Sequence, residues 1–99
     1  MATDIILKNK RDLKIQEPKK YKVVMYNDDF TPMEFVVEIL MEIFGKLYDD
    51  AINLMMEVHQ GTKATVGVYT YDIASTKASQ AMARAREEGY PFRVKCEKE

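Results

Sequence analysis

Asn27, Asp28 and Asp29 stand together in the stretch YNDDFTPMEF, immediately ahead of a segment that is mostly apolar. One amide oxygen and two carboxylates are hydrogen-bond acceptors, and such a group suits a cation that carries several N–H donors. An ordinary explanation competes with this one. Asn and Asp favour turns, and a carboxylate at a helix N-terminus gains ~0.3 to 1 kcal/mol from the helix dipole. Thr31 and Glu34 have the spacing of a capping box for the following helix, however, so the acceptors before them read as surplus to capping. His59, the single histidine, ends a second predicted helix. A cation there favours the C-terminal dipole, and a neutral ring there accepts a hydrogen bond.

Other chemistries find less support. A lone histidine with no cysteine nearby falls short of zinc spacing, and an adjacent Asp pair lacks the regular ligand spacing of a calcium loop. The only thiol, Cys96, lies almost at the C-terminus, and no serine sits in a nucleophile motif. Hydrolysis with Asp28, Asp29 and His59 as acid and base has no geometry to recommend it. The residues therefore predict no metal, no cofactor and no enzyme.

The elements that must position these groups can be read along the chain. Residues 1 to 20 show no sustained period, end in QEPKK, and carry six basic against three acidic side chains. They read as a flexible N-terminal extension, followed by one domain over residues 21–99. YKVVMY predicts a first strand from Tyr21, and NDD a turn. Pro32 suits the first position of a helix running to Phe44, with apolar residues over most of its circumference, so that it should lie between other elements. Gly45 stops it. A second helix spans Asp49 to Gln60. KATVGVYT is the second strand, with Gly67 marking a bulge or a close backbone approach. Helix three, Tyr71 to Glu88, has Thr70 as N-cap and presents Ala74, Ala78, Ala81 and Ala85 as a small-residue face. PFRVKCE is the last strand. The order β-α-α-β-α-β predicts an α+β domain with a small sheet packed against three helices.

Composition bounds the partners. At 99 residues and 46% apolar content the chain builds one small core, and its net charge of −1 gives no global drive toward nucleic acid or anionic membrane. No apolar run approaches a transmembrane span, and the N-terminus lacks a signal-peptide pattern. With one cysteine no internal disulfide forms, so a soluble, cytoplasmic monomer is expected. Met33, Met55 and Met56 on the first two helices serve as adaptable core filling or as an apolar pocket that accepts varied shapes.

The segments NDDFTPMEFVVEIL, MMEVHQG and GVYTYDIASTKASQA, in this order across about residues 21 to 97, resemble the ClpS adaptor proteins. The resemblance implies a β-α-α-β-α-β domain that recognises the N-terminal residue of a substrate, an N-degron, and hands the substrate to an AAA+ unfoldase of the ClpA or ClpC type and its protease. A free α-amino group titrates near ~7.7 to 8.0 and is mostly an ammonium at neutral pH. Asn27, Asp28, Asp29 and a neutral His59 would receive its donors. By the same similarity the side-chain pocket involves Tyr26, Thr31, Met33, Val36, Met55, Val58 and Phe92, takes Leu, Phe, Tyr or Trp, and uses Met33 as a gate against β-branched residues. Many members have Leu where this chain has Tyr26 and Phe92, which implies a narrowed ligand preference. Asp72 and Lys77 fall where the family meets the unfoldase's N-terminal domain, Asp72 being shorter than the usual Glu. The basic extension resembles the family's delivery segment. A non-degradative module like the C-terminal domain of the ribosomal stalk protein shares the arrangement, but has no need of Asn27, Asp28 and His59 together.

Overall fold

The computed structural model of the chain describes residues 18–99, so the predicted extension lies outside the described residues except for its last three positions. The order is β1 (Lys20–Tyr26), α1 (Met33–Glu42), α2 (Tyr48–Gln60), β2 (Lys63–Thr70), α3 (Tyr71–Glu87) and β3 (Arg93–Lys98). This is the predicted β-α-α-β-α-β succession, with β1 starting one residue before Tyr21. The three strands form one antiparallel sheet in the order β2-β1-β3.

Alternation along the strands gives the sheet one apolar face. Val23 and Met25 of β1, Ala64 and Val66 of β2 and Val94 of β3 are buried in a single core. Against them α3 lays its stripe of Ala74, Ala78, Ala81 and Ala85, all 5% exposed or less. Methyl-sized side chains let the helix axis run close to all three strands. The predicted irregularity at Gly67 is a β-bulge: Val23 pairs with Gly67 and Val24 with Thr65, so Val66 is the extra residue. Gly67 also makes room for a neighbour, because a Cβ there would come within 2.6 Å of the Tyr69 hydroxyl.

Helix α1 buries Phe35, Val36, Val37, Ile39 and Leu40 and packs on α2, as its broad apolar surface required. Its start differs from expectation. Pro32 is the N-cap and no side chain caps the helix; the Thr31 hydroxyl donates to Asp28 Oδ2 at 2.8 Å. The capping box is therefore not formed. The helix also ends earlier than Phe44. Gly45 takes a left-handed φ of 64°, and the Lys77 ammonium donates to the Ile43 carbonyl at 2.8 Å. A cation at a helix C-terminus satisfies both the orphan carbonyl and the dipole.

Candidate functional site

A cavity of about 340 Å³ opens where the end of β1, the start of α1 and the last turns of α2 meet. Asn27, Asp28, Asp29, Thr31 and His59 give it a polar wall, and Met33, Val36, Met55 and Val58 an apolar one. Nine of the residues named from sequence thus converge from three elements separated along the chain. Val36, Met55 and Val58 are buried, whereas Met33 is 45% exposed at the mouth.

The polar wall is built around one carboxylate. Asp28 Oδ1 accepts the backbone N–H of Phe30 at 2.8 Å and that of Thr31 at 2.7 Å, and Oδ2 accepts the Thr31 hydroxyl. This is an Asx-type turn, the local alternative to a cap that short polar side chains offer the backbone. Burial pushes the Asp28 carboxyl up, but the two backbone N–H groups and the hydroxyl together outweigh it and hold the carboxyl below its ordinary value. A carboxylate has about four acceptor sites. The three bonds of the turn leave room for one further donor from the cavity. The Asn27 backbone N–H donates to the Thr62 carbonyl at 2.9 Å, which ties the turn to the chain just beyond α2 and hence to His59 in its last turn. The side chains of Asn27, Asp29 and His59 are exposed, so their acceptors are accessible to a ligand.

Two residues assigned to the pocket by resemblance do not line it. Tyr26 alternates with Met25 and so points to the opposite, open face of the sheet, where its hydroxyl donates to Glu97 Oε1 at 2.7 Å. That bond first, and then Lys63, Lys22 and Lys95, hold the Glu97 carboxyl below its ordinary value. Arg93 and Lys95 lie over the Tyr26 ring, each at 5.5 Å. Phe92 is buried in the core, edge-on to Phe35 at 6.4 Å between centroids. Phe30 and Pro32, by contrast, line the cavity without having been singled out. Phe30 is 78% exposed, and the available signal was an aromatic residue set in the middle of a polar turn. Asp72 and Lys77 lie on α3 away from the cavity. Asp72 is exposed on the first turn, while Lys77 is half-buried and engaged with α1.

Among the described residues no cluster of three or more His, Cys, Asp or Glu could hold a metal ion. No described helix is long and apolar enough to cross a membrane.

Comparison with known proteins identifies the family. The family model for the ATP-dependent Clp protease adaptor protein ClpS matches residues 16 to 95. The ATP-dependent Clp protease adapter protein ClpS of Wolinella succinogenes is 41% identical over 93 residues, 94% of this chain and 91% of the relative. That of Acetivibrio thermocellus is 42% identical across the whole of both chains. Among solved structures, Agrobacterium tumefaciens ClpS2 bound to L-phenylalaninamide superposes with a TM-score of 0.82 at 41% identity, covering 84% of this chain and all of that one. With most of its length matched by family and relatives alike, the chain belongs to the ClpS family of Clp protease adaptors, and it is an adaptor, not an enzyme.

Proposed function

We propose that the cavity binds the free α-amino group and bulky apolar first side chain of N-degron substrates, and that the protein delivers them to an AAA+ Clp unfoldase. The observation that carries this reading is the convergence of Asn27, Asp28, Asp29 and His59 with Met33, Val36, Met55 and Val58 around one cavity. A volume of about 340 Å³ falls within the range of small-ligand sites, ~300 to 1,000 Å³. L-Phenylalaninamide, the ligand of the similar structure, is chemically an N-terminal Phe residue: a free amine, a benzyl side chain, and an amide where the next peptide bond begins.

The ammonium supplies three donors. The last acceptor site of Asp28, the Asn27 oxygen and a neutral His59 ring are placed to receive them, and charge-assisted bonds of this kind are worth about 1.5 to 3 kcal/mol each. Burying a Leu or Phe side chain against Met33, Val36, Met55 and Val58 contributes a further ~1.5 to 3 kcal/mol before ordering costs. Met33, half exposed at the mouth, acts as the gate. The test is fluorescence anisotropy with peptides that begin with Leu, Phe, Tyr, Trp or Ile, each with a free and an acetylated terminus. Binding should need the free amine, weaken at least about tenfold on acetylation, and exclude Ile. Equal affinity for acetylated peptides would remove the amine from the reading.

Delivery is assigned to a separate surface. Asp72 at the exposed start of α3 is the residue available to an unfoldase's N-terminal domain, whereas Lys77 is shared with α1. Deleting residues 1 to 17 should leave peptide affinity unchanged and impair degradation of an N-degron substrate by a ClpA- or ClpC-type machine.

A further inference from the structure

On the outer side of the α1–α2 hairpin lies a second depression of about 360 Å³ with almost wholly apolar walls. Val37 and Met41 line it from α1, Tyr48 and Ile52 from α2. Met33 and Met55 close one end, and both of these also line the amine-binding cavity. The two depressions therefore adjoin at the Met33 and Met55 side chains, which they share. Met33, Met41 and Tyr48 are 45%, 40% and 59% exposed. Large apolar side chains exposed side by side in a concave surface mark a place where something docks.

Length and charge identify the occupant. From Met33 to Met41 the groove follows about two turns of helix, or ~12 Å. An extended peptide advances ~3.3 Å per residue, so the groove accommodates three or four residues. Glu34 and Glu38 stand on its rim; Glu38 is already paired with Arg84 at 3.4 Å, which leaves the exposed Glu34 as the carboxylate that complements a basic residue. Two helices with methionines at intervals present a surface that repacks around different side chains. We infer that this groove receives residues two to four of the bound substrate, apolar side chains resting between α1 and α2 and a basic one beside Glu34. The inference rests on the first residue occupying the amine cavity. It makes substrate choice depend on a short apolar and basic sequence, not on the terminal residue alone.

The test uses C-terminally labelled peptides with a free N-terminal Phe, comparing Phe-Leu-Lys-Leu with Phe-Gly-Lys-Gly on the full chain. Partial burial of two Leu side chains in an open groove should tighten binding about three- to tenfold. Met41→Glu should abolish that difference and leave Phe-Gly-Lys-Gly affinity unchanged. Methyl NMR on the unsubstituted protein gives an independent readout: Met41 and Ile52 should shift with Phe-Leu-Lys-Leu and not with Phe-Gly-Lys-Gly. Equal affinities with silent Met41 and Ile52 methyls would overturn the groove while leaving the amine cavity intact. Failure of both peptides to bind would overturn the cavity and the groove together. Methyl shifts that follow protein concentration without peptide would assign the groove to a second copy of the chain and overturn the proposal.

Discussion

The backbone N–H of Asn27 donates to the carbonyl of Thr62 at 2.9 Å, joining residues 35 positions apart on either side of the α1–α2 hairpin. This bond ties the backbone of the turn that carries Asn27, Asp28 and Asp29 to the chain just past α2, the helix whose last turn holds His59.

The depressed Asp28 carboxyl fixes the sign of an acid effect. Because the folded form holds its proton less tightly than the unfolded chain, its contribution to stability is complete above the ordinary Asp value near ~3.9 and is lost as the pH falls through the lower folded value. Asp28→Asn keeps an oxygen for the two N–H donors but loses the charge. It should cost about 1 kcal/mol at neutral pH, at the low end for a charged acceptor because the site is open to water. Urea midpoints of the two proteins should converge in acid. A constant difference down to about pH 2 would show that the charge is immaterial.

His59 accepts a bond from the ligand amine only as a neutral ring. His59→Ala should therefore bind a free-amine Phe peptide more weakly at neutral pH, with a flattened dependence of affinity on pH. Matching profiles for both proteins would take His59 out of the site.

Tyr26→Phe removes the hydroxyl that meets Glu97 on the open face of the sheet. Affinity for a free-amine Phe peptide should be unchanged, whereas Val36→Ala in the cavity wall should weaken it. A loss on Tyr26→Phe as large as that on Val36→Ala would restore Tyr26 to the pocket.

Lys77 has a structural task that shows without any unfoldase. Its ammonium caps the Ile43 carbonyl and lies over the rings of Phe44 and Tyr69 at 5.9 and 5.7 Å. Lys77→Ala should lower the stability of the isolated protein by about 1 to 2 kcal/mol, and Asp72→Ala by much less. Equal and negligible losses in thermal unfolding would reduce Lys77 to a surface cation.

Gly67→Ala places a methyl group against the Tyr69 ring, which cannot move without disturbing the Lys77 perch. A destabilisation of about 1 to 3 kcal/mol is expected. In a double-mutant cycle the effect should shrink when Tyr69→Ala is already present. Additive losses would place the strain elsewhere in the bulge.

The order of elements was legible because each boundary carried its own signal, such as Gly45 after α1 and the alternation in β1. The bulge at Gly67 was legible for the same reason. Thr31 misled because its hydroxyl has two uses: as a cap its oxygen would accept a backbone N–H of the helix, whereas in the folded turn it donates to Asp28, three residues earlier. Tyr26 was misplaced by resemblance where strand alternation, with Met25 in the core, already sends it to the far side. Phe92 is a core residue, and sequence separates buried from exposed but not a cavity wall from the rest of the core. The neighbours Asp29 and Phe30 illustrate the remaining gap: both line the cavity, yet only the carboxylate has a chemistry that stands out in a string of letters.

Strand β1 lies between β2 and β3, and the chain enters it directly from Pro18 and Lys19. In mechanical terms, a pull along the strand axis, with the rest of the body held back, must slide β1 against two ladders at once, whereas an edge strand would yield one ladder. Resistance to such a pull is governed by the unfolding barrier and not by equilibrium stability. Traction on the preceding residues would thus be borne by the doubly paired strand, while the acceptors at its far end stay in register for their ligand.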